Sequence, residues 1–365
     1  MSTEVSVWRL VLVAMVPAMV AALGFGVVWL LTPESATPGV PALREIHLAG
    51  QHLPVLLTPL RPGANLVLVG GQADGVRVGV DPANLVDASD RVGTNGKWTV
   101  VDLPAGSATV WLELAGQRAS VDVDTGHGEP AGPGISGPDG PECAAEGLGA
   151  VLADPRYAPT SCPADALGPA DESSLRALVG FLAGRGVHTL TVAADGSARS
   201  IAAAAAVRDA AEHDRLAVAA EPSSDGALVV VSGWASANQT LATVSGRQQT
   251  AVSYSAGTYL APWLLSGPVI STSAGAVLPL RFDPRDPRPV EYQLAIETRF
   301  HGQLPTAAGY RGWLAGKGID EPSATRLFAA SRVAFLPKEF AMHQHGHDGG
   351  WVPGGTVVPV TGPLG

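Results

Sequence analysis

Three histidines stand at alternate positions near the carboxyl terminus, His343, His345 and His347, with Asp348 directly after them. Imidazole is a good ligand for Cu, Ni and Zn. A spacing of two puts alternate side chains on one side of an extended chain, so three nitrogens can converge on one ion. Weak, exchangeable metal binding is the chemistry such a run offers. The alternative is a solvated loop in which three histidines fall close together. A structural zinc site is not expected, because no cysteine and no fixed fourth ligand lies nearby. Asp283 and Asp286 are also close in sequence, but each adjoins a proline, which fits turn or cap residues better than an acid/base pair.

Other catalytic signatures are missing. The chain has no Gly-x-Ser-x-Gly elbow, no phosphate-cradling loop ending in Gly-Lys-Ser/Thr and no His-Glu-x-x-His. Gly147-Leu148-Gly149 falls short of a dinucleotide fingerprint and follows no strand, so it reads as a flexible turn. The expectation is a protein that is not an enzyme and carries no cofactor beyond Cu, Ni or Zn at the histidine run. Nucleic acid is excluded as a partner on charge: the formal net charge is −10 and the arginines are dispersed, where a basic face is needed. Lysine occurs only at 97, 317 and 338, and Ala, Gly and Pro are abundant, a composition that suggests a GC-rich bacterial source.

Leu10 to Pro33 contains no charged residue. At 1.5 Å per residue such a helix runs ~36 Å, more than the ~30 Å hydrocarbon layer. Trp8 and Trp29 sit near its ends, where indoles favour the headgroup zone. A cleaved signal peptide has a shorter apolar region. A retained single-pass anchor is expected, contacting the bilayer through residues 8–32. Arg9 on one side and Glu34 on the other favour a body on the extracytoplasmic side. That compartment permits a disulfide between the two cysteines, Cys143 and Cys162, although two buried thiols or a metal pair also fit. A bridge of that loop size is worth ~3 kcal/mol in the chain-entropy account.

The remaining elements divide as an anchor (1–33), a linker (34–42), a β-sandwich module (43–125), a Gly/Pro-rich linker with no regular element (126–141), an α/β domain (142–336) and a tail (337–365). In the sandwich, six short strands are predicted, at 53–57, 65–69, 76–80, 97–103, 108–114 and 119–123, separated by turn signals such as Pro62-Gly63 and Asn95-Gly96. Trp98 and Trp111 are expected in its core, and His47 and His52 on its surface. Thr58-Pro59-Leu60-Arg61-Pro62-Gly63-Ala64-Asn65 before a strand, with Leu103-Pro104-Ala105-Gly106 before another, resembles the β-sandwich modules that accompany bacterial copper-resistance proteins. No ligand pattern of those modules is present to carry over.

The α/β region alternates helix and strand. Leu175, Leu178, Val179 and Leu182 recur at helical spacing behind Asp171 and Ser173. Residues 187–193 read as a strand, Ile201–Ala211 as an alanine-rich helix, 216–220 as a short strand, and Ala227–Val231 as a strand covered on both faces. A helix over 236–244 follows Trp234. Thr258–Leu265 reads as a helix or loop over the sheet edge, or as an aromatic wall for a ligand. Ile319–Phe335 reads as a last helix. This rhythm predicts a Rossmann-like, mostly parallel sheet flanked by helices.

Leu280-Arg281-Phe282-Asp283-Pro284-Arg285-Asp286-Pro287, a helix running to Arg299-Phe300-His301-Gly302, then Leu304-Pro305 and Gly309-Tyr310, is similar to the closing part of type I periplasmic solute-binding proteins. Ala158-Pro159-Thr160-Ser161 is similar to the loop that enters their second lobe. The resemblance covers roughly residues 158–315. It implies a binding role for a small solute or an envelope protein partner, with copper or other transition-metal handling and a non-catalytic structural role as alternatives. One departure is clear: too little chain is available for two α/β lobes, so the usual first lobe is missing or much reduced. In open parallel sheets the site lies beyond the carboxyl ends of the strands, which nominates Asp195, Ser197, Gly233, Trp234 and Tyr254.

Overall fold

Ala49 and Gly50 both take positive φ, and this two-residue turn folds β1 (Ala42–Leu48) against β2 (Gln51–Thr58). The computed structural model describes residues 37–320, 323–332 and 350–364. The expected anchor and the histidine run lie outside the described residues. Among the described residues no helix is long and apolar enough to cross a membrane.

The first half is two four-stranded antiparallel sheets. One has the order β1-β2-β3-β6, with β3 at Gly63–Val69 and β6 at Lys97–Leu103. The other has the order β5-β4-β7-β8, with β4 at Arg77–Gly79, β5 at Val86–Asp87, β7 at Ser107–Leu114 and β8 at Gln117–Asp124. All six predicted strands are present; β1 and the two-residue β5 were not foreseen. Trp98 is buried in the core, whereas Trp111 is only half-buried, because it stands on the outward side of β7 between inward Val110 and Leu112. Asn65 explains the phrase that precedes β3. Its amide oxygen accepts from the N–H groups of Leu60 (2.8 Å) and Arg61 (3.3 Å), and its nitrogen donates to the carbonyls of Arg61 (2.7 Å) and Gly63 (2.9 Å).

The Gly/Pro-rich stretch is more ordered than expected. It holds a 3-10 turn at Pro133–Ser136, and its last two residues open helix α1, Gly140–Ala153. Gly147 and Gly149, read from sequence as a turn, are helical and buried within α1. The reason is packing. α1 crosses α7 (Ala307–Gly316) so closely that a Cβ on Gly149 would fall 1.8 Å from the Gly309 carbonyl oxygen. Glycine costs about 1 kcal/mol against alanine in a helix interior; the close crossing offsets it.

The second half is one seven-stranded sheet of order β10-β9-β11-β12-β13-β14-β15. Five strands are parallel: β9 (Thr189–Ala193), β10 (Ala217–Ala219), β11 (Ala227–Val230), β12 (Thr258–Leu260) and β13 (Ala276–Leu280). Helices α2 (Pro169–Gly184), α3 (Ala198–His213), α4 (Trp234–Gln248) and α6 (Pro287–Arg299) flank them, with the short α5 at Gly267–Ile270. All four residues of β11 are buried, as its unbroken apolar run predicts.

Two predicted segments changed type. Thr258–Leu265 is an interior strand followed by a 3-10 turn at Pro262–Leu264. The last predicted helix gives way to β14 (Arg326–Arg332), which pairs antiparallel with β13 and with β15 (Gly355–Pro359). A short apolar run such as Leu327–Ala330 carries no period that separates helix from strand, and the open edge of β13 decides it.

The two halves share one interior. Leu56, Leu66, Leu68 and Trp98 of the sandwich belong to the same apolar cluster as α1, the parallel sheet and α7, and the described residues form one compact unit.

Candidate functional site

In the strand order β10-β9-β11-β12, the crossover leaving β9 runs to β10 on one side and that leaving β11 runs to β12 on the other, so the crevice beyond the carboxyl ends of β9 and β11 is the topological switch point. Four of the five nominated residues meet there. The carboxylate of Asp195, just after β9, accepts from the N–H (2.9 Å) and hydroxyl (2.7 Å) of Ser197 and from the Gly233 N–H (2.7 Å). Ser197 in turn caps α3, its hydroxyl accepting from Ser200 N–H. Burial by itself would raise the Asp195 pKa, but these donors hold it below the usual carboxylate range. Tyr254 does not join them. It precedes β12, at the amino end of the sheet, with its N–H on the Ser223 carbonyl (2.8 Å).

The crevice is filled by the chain itself. Asp139, at the start of α1, accepts from the Trp234 N–H at 3.1 Å. Its carboxylate lies so near Gly233 that a Cβ there would meet it at 2.1 Å, which accounts for the glycine. Burial, and then the nearby Glu142, push the Asp139 pKa up. The Trp234 indole is fully buried; its N–H donates to the Trp263 carbonyl (2.9 Å), and the Trp263 N–H donates to the Ser232 carbonyl (3.0 Å). Gly93 of the sandwich presses on the Trp234 ring, leaving no room for a Cβ. Beneath them Arg199 forms a two-pronged pair with Glu142 (2.6 and 2.7 Å) and stacks over Trp263, 4.5 Å from the ring centroid. Ser266 also bonds the Gly93 carbonyl.

An opening persists two strands along. Between the start of α2 and helix α7, beyond the carboxyl ends of β12 and β13, is a cavity of about 380 Å³. That lies within the roughly 300–1,000 Å³ typical of small-molecule sites. Its walls are mostly apolar, including Pro169, Pro262, Phe282 and Leu314. Its charged groups are Asp171 and Arg311, paired at 3.0 Å, Arg281, which donates to the Ser323 carbonyl at 3.0 Å, and Asp320. Ser174 at the wall shares a hydrogen bond with Thr325 (2.9 Å). Sequence reading took Asp171 only as a helix starter and passed over Arg281 and Arg311. The nearest signal was their position within or beside the phrases at 280–287 and 309–310.

Cys143 and Cys162 are joined by a disulfide, which ties α1 to the loop before α2. Glu146, one turn along α1, has a buried carboxylate oxygen with no hydrogen-bond partner. Burial pushes its pKa up to about 7, against the opposing influence of Arg311. Among the described residues no group of three or more His, Cys, Asp or Glu is gathered around a metal position.

No protein-family model and no curated protein matches the chain. The solved structures it resembles are solute-binding proteins of ABC transporters. One is a substrate-binding protein from Desulfitobacterium hafniense in complex with Leu, 14% identical, aligned over 40% of this chain and 47% of its own with a TM-score of 0.30. A branched-chain amino acid ABC transporter periplasmic ligand-binding protein from Burkholderia xenovorans is 13% identical over 53% of this chain and 63% of its own, with a TM-score of 0.36. A solute-binding protein from R. palustris in complex with benzoate is 9% identical over 44% and 60%, with a TM-score of 0.33. The alignments span between 47% and 63% of the length of these neighbours.

Proposed function

We propose that this chain is a membrane-anchored binding protein of a bacterial envelope, with its body outside the bilayer, which takes up a small solute in the cavity between α2 and α7. The observation that carries this reading is the cavity itself: about 380 Å³, apolar over most of its wall, with Arg281, Arg311 and Asp171 at its polar side. Such a lining suits a small molecule with an apolar body and a carboxylate. The guanidinium groups offer forked donors for the charge, and the walls bury the remainder. The anchor at residues 8–32 is the basis for the location.

The test is a thermal-shift screen of the full chain in detergent against apolar amino acids and small carboxylic acids, beginning with leucine and benzoate. At least one class should raise the melting temperature, and Leu314→Trp, which fills the cavity, should abolish the rise. If no compound shifts melting, or if the variant responds as the parent does, the cavity is not a solute site.

A second reading, a non-catalytic structural protein of the envelope, is favoured by one observation. The crevice at the switch point is packed with Asp139, Trp234 and Gly93. Failure of the solute screen would leave this reading in place.

A further inference from the structure

The outward face of the β1–β2 hairpin carries a pair of groups that solute binding does not use. Ala49 and Gly50 have φ of 52° and 76°, the signs required by a type I′ turn. The turn fixes the register: Leu48 faces Gln51, and His47 faces His52. Ladder positions alternate outward from such a turn, so His47 and His52 fall in the pair without mutual hydrogen bonds. In that pair the Cα atoms stand about 4.5 Å apart and the side chains approach most closely. Both histidines are exposed, and their ring centroids are 4.9 Å apart. The hairpin is held in place by Gln117, whose side-chain oxygen accepts from the Ala49 N–H at 3.1 Å.

Glu45 lies two residues before His47 on the same face, and its Oε1 is 2.8 Å from His52 Nδ1. An ionised carboxylate only accepts hydrogen bonds, so Nδ1 holds the proton. In the neutral ring the open lone pair is then on Nε2. A carboxylate behind an imidazole in this way fixes the tautomer and the orientation of the ring, as it does behind metal-bound histidines generally.

We propose that His47 and His52 form a two-imidazole site for a divalent transition metal, copper(II) before nickel or zinc, with Glu45 as the positioning residue and water completing the coordination shell. Metal–nitrogen bonds of about 2.0–2.1 Å place two ligating nitrogens about 3 Å apart. The two rings, with centroids 4.9 Å apart, stand close enough for one ion to meet both. Copper(II) stands highest in the affinity order for nitrogen sites. With two protein ligands the site is open and exchanges its ion with solvent, which suits receiving or passing on a metal. It shares no residue with the run at His343, His345 and His347.

The experiment uses the full chain carrying His343→Ala, His345→Ala and His347→Ala, titrated with copper(II) and followed by calorimetry and electron paramagnetic resonance. One copper(II) per chain should bind, with hyperfine structure from two imidazole nitrogens. His47→Ala and His52→Ala should each weaken binding at least tenfold, and Glu45→Gln severalfold. All three side chains are exposed, so melting of the metal-free variants should match the parent. No bound copper in the tail-substituted chain, or an unchanged affinity and spectrum in the His47→Ala/His52→Ala double variant, overturns the site. An unchanged affinity in Glu45→Gln removes the positioning role.

Discussion

Arg199 and Glu142 are 57 residues apart in sequence and meet as a two-pronged ion pair with both side chains almost wholly buried. The pair joins α3 to α1 beneath the filled crevice. Breaking a buried pair from one side leaves an uncompensated charge, which costs about 3–5 kcal/mol. Glu142→Gln is therefore expected to destabilise by that order, measured by denaturant unfolding of the full chain. The double variant Glu142→Met/Arg199→Met should lose much less. Equal losses in the two proteins would show that the unpaired charge is not the cause.

The crossing of α1 and α7 makes an opposite prediction from helix propensity. Alanine in place of Gly149 would gain about 1 kcal/mol in an isolated helix. Here its Cβ would enter the Gly309 carbonyl, and overpacking of this kind costs about 1–3 kcal/mol. A net drop in melting temperature is expected for Gly149→Ala. A rise would mean that the helices separate without penalty.

Glu146 gives the fold a pH dependence of known sign. Its folded pKa of about 7 lies above its ordinary value of 4.5. A carboxyl raised in this way contributes stability fully below pH 4.5 and loses it as pH rises through 7. The window amounts to about 3 kcal/mol at one pK unit per 1.36 kcal/mol. Unfolding free energy measured from pH 4.5 to 8 should fall less steeply in Glu146→Gln than in the parent. Parallel profiles would remove Glu146 as the source.

Trp234, one of the residues nominated as ligand contacts, is fully buried. Trp234→Phe removes the donor to the Trp263 carbonyl, which costs about 1–3 kcal/mol when the acceptor is left buried. The expected result is a lower melting temperature with the solute response of the cavity unchanged. A lost response with unchanged stability would return the site to the switch point.

Much of this architecture is legible in the chain. The apolar run of β11 and the turns of the sandwich are local signals, and each led to the right element. Misreadings cluster where partners distant in sequence decide. Gly149 fits in α1 against Gly309 of α7, and Gly147 fits against Thr58 and Pro41, contacts that no local spacing announces. β14 is a strand because β13 offers it an edge. The filled crevice depends on Asp139 and Gly93, which both meet Trp234 from far back in the chain, Asp139 from 95 residues before it. Topology alone points to an opening there. The cavity at Arg311 follows from how α2 and α7 diverge, which no spacing in the sequence announces.

A continuous apolar interior through both halves leaves no hinge. Rocking one half against the other would tear Trp98 and Leu68 from the cluster they share with α1 and the parallel sheet. A guest in the cavity would have to be admitted by rotation of a few rim side chains. Its arrival would then register only as a local change of surface on a body that turns as one piece.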